Sequence, residues 1–376
     1  MLRIAVVGCG KIADAHVSQV FRIPGCSIVA VCDREPLMAR QICERFGIEG
    51  AFSHLETMLQ QARPDVVHVT TSPESHFAIA SVCLKAGSHV YVEKPFTLNA
   101  EEAAQLIALA GENGVKITAG HDSQFSHVAR RMRALVSQGY LGGPPVHMES
   151  YYGYELGDNA YVRAFLNDKN HWVRKLPGML AQNIISHGIA SVAEFFTSDA
   201  PQVIVHGFTG PFLASRGETE IIDELRVMIA EQGGATAYFT FSSQMRPSLH
   251  SFRIYGEKNG LMVDFDEEVL IKLRGKRYKS YAEMFVPPVV LARQCFGNLR
   301  KNLGYFLHND FQFKAGMKCL IESFYQSIET QSDPPIPYRE ILLTARIMDD
   351  IFRQIYPDHR DSRCAAPDAA NSSPSD

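Results

Sequence analysis

Apolar residues in the N-terminal third of the chain follow two alternating patterns. Short unbroken apolar runs, typical of strands buried on both faces, occur at Arg3–Val7, Ser27–Cys32, Asp65–Thr70, His89–Val92 and Lys116–Ala119. Helical spacings of apolar residues separate these runs, at Ile12–Phe21, Glu35–Phe46, His54–Gln61, His76–Ala86 and Ala100–Asn113. This alternation predicts an α/β fold with a doubly wound parallel sheet, covered by helices on both faces.

The pattern changes after residue 122. Helical spacings at Ser126–Ser137 and Gln182–Phe196 precede two hairpin patterns, in which Glu224–Ala230 faces Thr236–Ser242 and Ser251–Tyr255 faces Gly260–Asp264. Two further helices are predicted at Phe313–Thr330 and Arg339–Ile355. Residues 123–357 are therefore expected to form an α+β domain with an open, mostly antiparallel sheet. Residues 1–122 form the first domain, and the polar tail 358–376 is expected to be disordered.

Composition and charge exclude several classes of protein. The 376 residues carry a formal net charge of −4, which argues against a protein that binds nucleic acid through concentrated positive charge. No apolar run approaches the roughly 18–20 residues needed to span a bilayer. The eight cysteines are scattered, without a CxxC pair or a cluster with histidine that would suggest a metal site. We expect buried thiols in a reducing cytoplasm and no bound metal.

A glycine-rich turn follows the first predicted strand. Gly8 permits the tight turn, and Gly10 lets the backbone approach a pyrophosphate, while Lys11 and Ile12 open the helix whose N–H groups face the phosphates. This is the G-x-G-x-x-A pattern of a Rossmann dinucleotide site. Asp33 ends the second strand, where a carboxylate accepts ribose hydroxyls and repels a 2′-phosphate. We therefore predict NAD as the cofactor over NADP, although Arg34 could pair with a 2′-phosphate.

Two more strand ends are predicted at the same edge of the sheet. The fourth strand ends at Thr71 and Ser72, with His76 one helical turn further on, and the fifth ends in Glu93-Lys94-Pro95. Ligands of open α/β sheets bind outside the carboxyl ends of the strands. We therefore assign Thr71, Ser72, His76, Glu93 and Lys94 to the cofactor site. Taken alone, Glu93-Lys94-Pro95 is equally compatible with a surface lysine beside a turn proline.

Together these features resemble the Gfo/Idh/MocA family of oxidoreductases, which includes glucose–fructose oxidoreductase and inositol dehydrogenases. The resemblance extends to Gly139-Tyr140-Leu141-Gly142, to Gly178–His187 and to Ile254–Gly260, and it covers roughly residues 1–345. It implies a nicotinamide cofactor and a sugar-like or polyol substrate. It also implies a homodimer or homotetramer built through the sheet of the second domain.

The resemblance also implies catalytic roles. Lys94 matches the lysine that reaches both the cofactor and a substrate hydroxyl, oriented by Glu93 and followed by a proline whose bond could be cis. His187 matches the acid/base histidine, whose pKa near neutrality suits proton transfer from a carbinol. Without the resemblance, His187 would be read as a histidine in the core of an apolar helix.

Two positions depart from the family pattern. Asn183 stands where the family usually has Asp, four residues before the histidine, so it orients the ring without contributing a charge. We count it with Lys94 and His187 as catalytic, and Lys94 is then expected to carry more of the proton transfer. Gln124 stands where the family often has Arg, so a substrate contact there is lost or changed.

Several further residues are candidates for the substrate pocket. Tyr152, in the run Tyr151–Tyr154, and the group His171, Trp172 and Arg174 combine aromatic rings with a guanidinium, which suits sugar faces and anionic groups. Ordinary strand packing explains the tyrosines equally well.

The stretch 287–306 is absent from the common family pattern. It opens with Pro287-Pro288 and carries Arg293, Arg300 and Lys301 without an acidic residue. A basic amphipathic segment can lie on an anionic membrane, here through residues 289–306, or serve as a lid or a subunit contact. We favour the lid or the subunit contact.

The predicted function is hydride transfer between NAD and a secondary carbinol or ketone of a sugar, polyol or nucleotide sugar, with polysaccharide biosynthesis as a candidate setting. Two alternatives remain open. One is a glycosidase or lyase that oxidises its sugar transiently and regenerates NAD within each turnover. The other is a non-catalytic nicotinamide-sensing regulator, which Asn183 permits but Lys94 and His187 disfavour.

Overall fold

The computed structural model describes residues 1–156, 166–275, 278–311 and 314–357. The predicted tail, 358–376, lies outside these ranges, so its expected disorder stays a prediction. Within them the chain forms two sheets.

The first sheet is parallel, with six strands in the order β3-β2-β1-β4-β5-β6. The strands are β1 (Leu2–Val7), β2 (Cys26–Cys32), β3 (Ala51–Phe52), β4 (Val66–Val69), β5 (His89–Val92) and β6 (Ile117–Ala119). The helices between them are α1 (Lys11–Val20), α2 (Pro36–Phe46), α3 (Leu55–Ala62), α4 (His76–Lys85) and α5 (Ala100–Glu112). The central strands are buried on both faces, which explains their unbroken apolar runs. The predicted Rossmann architecture is confirmed.

The second sheet has seven strands in the order β13-β12-β11-β7-β10-β9-β8. They are β7 (His147–Gly153), β8 (Gln202–Phe208), β9 (Glu224–Ala230), β10 (Thr236–Ser242), β11 (His250–Tyr255), β12 (Asn259–Asp264) and β13 (Val269–Arg274). Both predicted hairpins are present. The pairing is antiparallel except between β7 and β10, which run parallel. The expected open, mostly antiparallel sheet is therefore confirmed.

The remaining helices follow the first sheet in the chain. They are α6 (His127–Ser137), α7 (Met179–Ile184), α8 (Ser186–Ala193), α9 (Pro211–Ala214), α10 (Ala282–Leu307), α11 (Ala315–Glu329) and α12 (Tyr338–Ile355). The single helix predicted over 182–196 is divided into α7 and α8 at Ile185. Side chains of α6, α8 and α12 pack on one face of the second sheet. The other face leaves Ile204, Met228 and Tyr238 exposed.

Helix α11 contributes to the core of the first sheet. Its residues Leu320, Ile321 and Phe324 are fully buried in the same cluster as Val66 and Val90. The first core is therefore built from two distant stretches of chain. The predicted boundary after residue 122 stays a prediction, but α11 packs across it.

Helix α10 contains the stretch 287–306 that the family pattern lacks. It lies along β13, where the side-chain amide of Asn298 donates to the Leu270 carbonyl at 2.9 Å. Its opposite face exposes large apolar side chains, among them Phe285 at 70% and Phe296 at 68% exposure. In the part of the chain that the structure describes, no helix is both long and apolar enough to cross a membrane.

Candidate functional site

The glycine turn after β1 is built as the sequence predicts. Gly8 has a φ of +95°, and a Cβ there would lie 2.7 Å from the backbone nitrogen of Thr71. The fold therefore requires a glycine at position 8. Gly10 has open space where a Cβ would be, and it caps α1 without a side-chain hydrogen bond. The Ala13 N–H donates to the Gly10 carbonyl at 3.0 Å, which leaves the N–H groups of Lys11 and Ile12 for a ligand.

Asp33 holds this turn in place from the end of β2. Its Oδ2 accepts a hydrogen bond from the Cys9 N–H at 2.7 Å, and its Oδ1 accepts one from the Glu35 N–H at 2.9 Å. The carboxylate therefore shapes the loop that would receive a pyrophosphate. Lys11 and Arg34 are exposed beside this loop, and Ile12 is half-buried. The geometry fits a dinucleotide because an open, Cβ-free turn meets a helix N-terminus and a strand-end carboxylate.

His76 joins the two other strand ends of this edge. Its ring nitrogens lie 2.9 Å from the Pro95 carbonyl oxygen and 3.0 Å from the Thr71 carbonyl oxygen. Burial lowers the pKa of His76. His76 therefore fixes the loop Thr71–Ser72 against the Lys94–Pro95 segment. The Ser72 hydroxyl donates to the Glu74 carboxylate at 2.7 Å.

The segment Glu93-Lys94-Pro95 begins where β5 ends, and its Lys94–Pro95 bond is cis. The Lys94 N–H donates to Glu93 Oε2 at 3.0 Å. The Lys94 ammonium donates to the Asn183 carbonyl at 2.9 Å, near the end of α7. Burial lowers the pKa of Lys94, and the Glu93 charge opposes this shift. The predicted lysine therefore lies beside the stretch that carries Asn183 and His187.

A buried chain of hydrogen bonds reaches Glu93 from the first core. Tyr325 Oη lies 2.8 Å from His68 Nε2, the two Nδ1 atoms of His68 and His16 are 2.8 Å apart, and His16 Nε2 lies 2.8 Å from Glu93 Oε1. With both imidazoles neutral, Tyr325 donates to His68, His68 donates to His16, and His16 donates to an ionised Glu93, so each hydrogen bond has one donor. Burial raises the pKa of Glu93, but the hydrogen bond from His16, together with Lys94, brings it down to about 2.

This series of hydrogen bonds was not predicted from the sequence. His16 and His68 lie within a helix and a strand that read as ordinary core elements, and Tyr325 comes from the distant helix α11. The only local signal was two histidines in otherwise apolar segments. Its effect is to hold Glu93 in one orientation, and Glu93 in turn holds the backbone of Lys94.

His187 lies in α8 at the wall of a cavity of about 600 Å³. Its Nδ1 is 3.2 Å from the Ser123 hydroxyl and 3.8 Å from Asp122 Oδ1. Burial lowers the pKa of His187 well below its usual range, and the positive charge of Lys94 adds to this. The expected pKa near neutrality is therefore wrong: the imidazole is neutral at neutral pH and able to accept a proton, but it is a weaker base than an unperturbed histidine.

The cavity wall carries both charges and aromatic rings. Among its residues are Asp122, Tyr152, His187, His250, Asp266 and Lys314. The Tyr152 ring stacks near His187 with centroids 6.3 Å apart, and burial raises the Tyr152 pKa. His250 Nδ1 pairs with Asp266 at 2.7 Å. Tyr152 is thus brought to the site as predicted, whereas Asp122, Lys314 and the His250–Asp266 pair were not singled out from sequence, since no motif marks them.

Four other predicted substrate residues have different surroundings. Gln124 is buried and its amide donates to the Ala190 carbonyl at 3.3 Å, which ties the turn after β6 to α8. Arg174 forms an ion pair with Glu218. His171 and Trp172 are half-buried neighbours with ring centroids 5.7 Å apart. Their contact with a substrate stays a prediction.

No group of three or more His, Cys, Asp or Glu residues is arranged to hold a metal ion in the described ranges. Seven cysteines in these ranges are free thiols, but only Cys9, Cys32 and Cys83 are buried and Cys295 is exposed, so the expectation of buried thiols is wrong for the others.

Comparison with known proteins identifies the N-terminal third of the chain. Residues 2–121 match a family described as an oxidoreductase family with an NAD-binding Rossmann fold. D-glucoside 3-dehydrogenase of Escherichia coli is 30% identical over 142 residues, which is 38% of this chain and 40% of that protein. The chain thus spans well under two thirds of the length of this relative.

Other matches extend over most of the chain. 4-Carboxy-2-hydroxymuconate-6-semialdehyde dehydrogenase of Sphingobium sp. is 22% identical over 263 residues, covering 70% of this chain and 78% of that protein. The structure of the WlbA dehydrogenase from Bordetella pertussis, in complex with NADH and UDP-GlcNAcA, superposes with a TM-score of 0.74 at 18% identity and covers 96% of both chains. At this identity the superposition shows a shared fold.

Proposed function

Since the chain is a member of the Gfo/Idh/MocA oxidoreductases, we propose that it transfers a hydride between NAD and a secondary carbinol or ketone of a sugar, polyol or nucleotide sugar. One observation carries the proposal. Lys94, from the edge of the first sheet, donates its ammonium hydrogen to the carbonyl of Asn183, one helical turn before His187. This bond supports the proposal because it brings the lysine of Glu93-Lys94-Pro95 close to the stretch that carries His187, and His187 lines the cavity of about 600 Å³.

In this proposal, different residues of the chain bind the cofactor, accept the proton and stabilise the developing charge. The turn at Gly8 and Gly10, with the N-terminus of α1, would hold the pyrophosphate of the cofactor, and Asp33 would hold its ribose. When bound, NAD supplies the hydride acceptor, or its reduced form the donor. His187, neutral because it is buried, accepts the carbinol proton. The Lys94 ammonium stabilises the negative charge that develops on the same oxygen.

NAD is preferred over NADP in this proposal. Asp33 supports the preference, because its carboxylate lies where a 2′-phosphate would bring a second negative charge. Arg34 is exposed next to Asp33, and its guanidinium favours the 2′-phosphate of NADP to a smaller extent.

The activity is tested with purified protein, NAD⁺ and a panel of myo-inositol, glucose and UDP-N-acetylglucosamine, by following NADH absorbance. Lys94→Ala is the matched variant, and its turnover should fall by at least about a hundredfold, a larger factor than the loss of NAD affinity. A product formed without NADH accumulation would indicate the glycosidase or lyase reaction instead. NAD binding without turnover of any substrate, and a Lys94→Ala variant that behaves like wild type, would favour a nicotinamide sensor.

A homo-oligomer is part of the same proposal. The open face of the second sheet exposes Tyr238 at 53% and Met228 at 38%, which is unusual for a face that stays in water. Light scattering should show a dimer or tetramer that Tyr238→Asp dissociates. Helix α10 is a second apolar surface, and Phe296→Asp tests whether it contributes. If only vesicle binding responds to Phe296→Asp, α10 is a membrane contact; if only turnover responds, it acts as a lid.

We also propose a cytoplasmic location and no nucleic-acid partner. The seven free thiols in the described part of the chain support the first. The net charge of −4 supports the second. Fractionation of the cells that make the protein would check the location.

A further inference from the structure

A carboxylate lies beside His187 although position 183 carries none. Asp122 follows β6 and begins the short turn Asp122–Phe125. Its Oδ1 is 3.8 Å from His187 Nδ1, and the hydroxyl of the next residue, Ser123, is 3.2 Å from the same nitrogen. The carboxyl group is largely buried, with its side chain 18% exposed. It therefore reaches the histidine from the first sheet, whereas the residue at 183 would reach it from α7.

The other groups that shift the pKa of His187 are basic side chains. The groups that act on it, after burial itself, are Lys94, His121, Lys314 and His250, and each of them lowers its pKa. A proton accepted by His187 would thus be held near the ammonium groups of Lys94 and Lys314. Asp122 is the acidic side chain closest to the ring among the ion pairs of the described residues.

Neighbouring groups shift the pKa of Asp122 in opposite directions. Burial raises its pKa, as does the Glu93 charge, whereas Lys314, Lys94 and His16 lower it. Lys314 Nζ lies 4.0 Å from its Oδ2. The net result is a pKa of Asp122 above its ordinary value, and the cation on the side away from His187 opposes that shift and supports the ionised form.

We infer that Asp122 is the positioning residue of His187 and replaces the aspartate that the family pattern has at position 183. Its carboxylate and the Ser123 hydroxyl both face Nδ1, so they favour the tautomer with hydrogen on Nδ1. Nε2 is then the atom that accepts the substrate proton, and the imidazolium that forms has a neighbouring negative charge. The role in turnover rests on the proposed function, but the effect on the ring does not.

The test removes the carboxylate at position 122 and, in a double variant, introduces one at position 183. The variants are Asp122→Asn, the double variant Asp122→Asn/Asn183→Asp, and Asp266→Asn as a control that removes a cavity carboxylate paired with His250 instead. Two readouts are used. One is kcat/KM against pH, and the other is the ¹⁵N shift of His187, which reports its tautomer and charge without substrate. Circular dichroism and thermal melting confirm that each variant is folded.

Asp122→Asn should lower plateau kcat/KM by at least about tenfold, since it weakens the base. It should also move the acidic limb to lower pH, because loss of a negative charge lowers the pKa of the imidazole. The His187 signal should show less of the Nδ1–H tautomer. The double variant should recover a large part of both effects, and Asp266→Asn should leave the tautomer of His187 unchanged.

Three results would overturn the inference. They are an Asp122→Asn variant with an unchanged His187 signal, lost activity without any change in the pH profile, and a double variant no better than Asp122→Asn. If wild-type protein turns over none of the substrates, the proposed function fails on that observation. The ¹⁵N measurement then still decides the role of Asp122, because it needs neither substrate nor cofactor.

Discussion

The two glycines of the first turn should respond differently to the same added methyl group. In Gly8→Ala the new Cβ would lie 2.6 Å from Thr71 Cγ2 and 2.7 Å from the Thr71 nitrogen, at a φ of +95°. In Gly10→Ala the Cβ meets no protein atom within 4 Å. The first substitution therefore tests the fold, and the second tests the space reserved for a ligand.

The expected magnitudes follow from these distances. For Gly8→Ala, the unfavourable backbone conformation costs about 1–2 kcal/mol and the contact with backbone a further 1–3 kcal/mol, roughly 2–5 kcal/mol in total. At about 2–4 °C per kcal/mol, the melting temperature should fall by roughly 4–20 °C. Gly10→Ala should lose at most about 1 kcal/mol, as an N-cap glycine replaced by alanine. Its NAD affinity should nevertheless fall at least about tenfold, or 1.4 kcal/mol.

Calorimetry measures both quantities, by thermal unfolding without cofactor and by titration with NAD. A Gly10→Ala variant that binds NAD like wild type would show that the pyrophosphate does not approach this backbone. A Gly8→Ala variant with an unchanged melting temperature would contradict the packing described for Thr71.

Three more predictions follow from the site. Asp33→Ala should narrow the preference for NAD over NADP by about 1–3 kcal/mol, measured by titration with both cofactors, and an unchanged ratio would exclude Asp33 from ribose recognition. Asn183→Asp should raise the pKa of His187, because a nearby negative charge favours the imidazolium. Since the base must be neutral to accept a proton, the acidic limb of the kcat/KM profile should move to higher pH. A loss of kcat/KM without that shift would mean that the Asn183 amide donates a hydrogen bond to the substrate. Tyr325→Phe leaves a buried His68 nitrogen without its donor and should lower the free energy of unfolding by about 1–3 kcal/mol in urea, whereas no loss would refute the hydrogen-bond chain to Glu93.

The parts of the fold that were predictable are those with a local signal. The glycine turn, the Glu93-Lys94-Pro95 segment and the hairpin of β9 and β10 each combine a turn signal with flanking apolar periodicity, and the structure has all three. The parallel pairing of β7 with β10 has no such signal, because it joins strands far apart in the chain. The break at Ile185 between α7 and α8 was also missed, since the apolar spacing continues across it.

The candidate site divides in the same way. Lys94 and His187 could be proposed from the sequence because a family pattern marks their positions. Asp122 is one acidic residue in a stretch with no motif, and its importance depends on a contact with a residue distant in sequence. Such contacts are made by the tertiary fold, so periodicity and spacing carry no information about them.

The position of α11 has a consequence for engineering. Leu320, Ile321 and Phe324 complete a core whose strands lie more than two hundred residues earlier, and Tyr325 completes the hydrogen-bond chain to Glu93. A chimera that exchanges only residues 1–122 with a relative would pair a foreign sheet with this helix. Because close-packed cores tolerate poorly matched shapes badly, such a hybrid would lose both packing and the support of Lys94. The unit that can be transplanted is the N-terminal sheet together with α11.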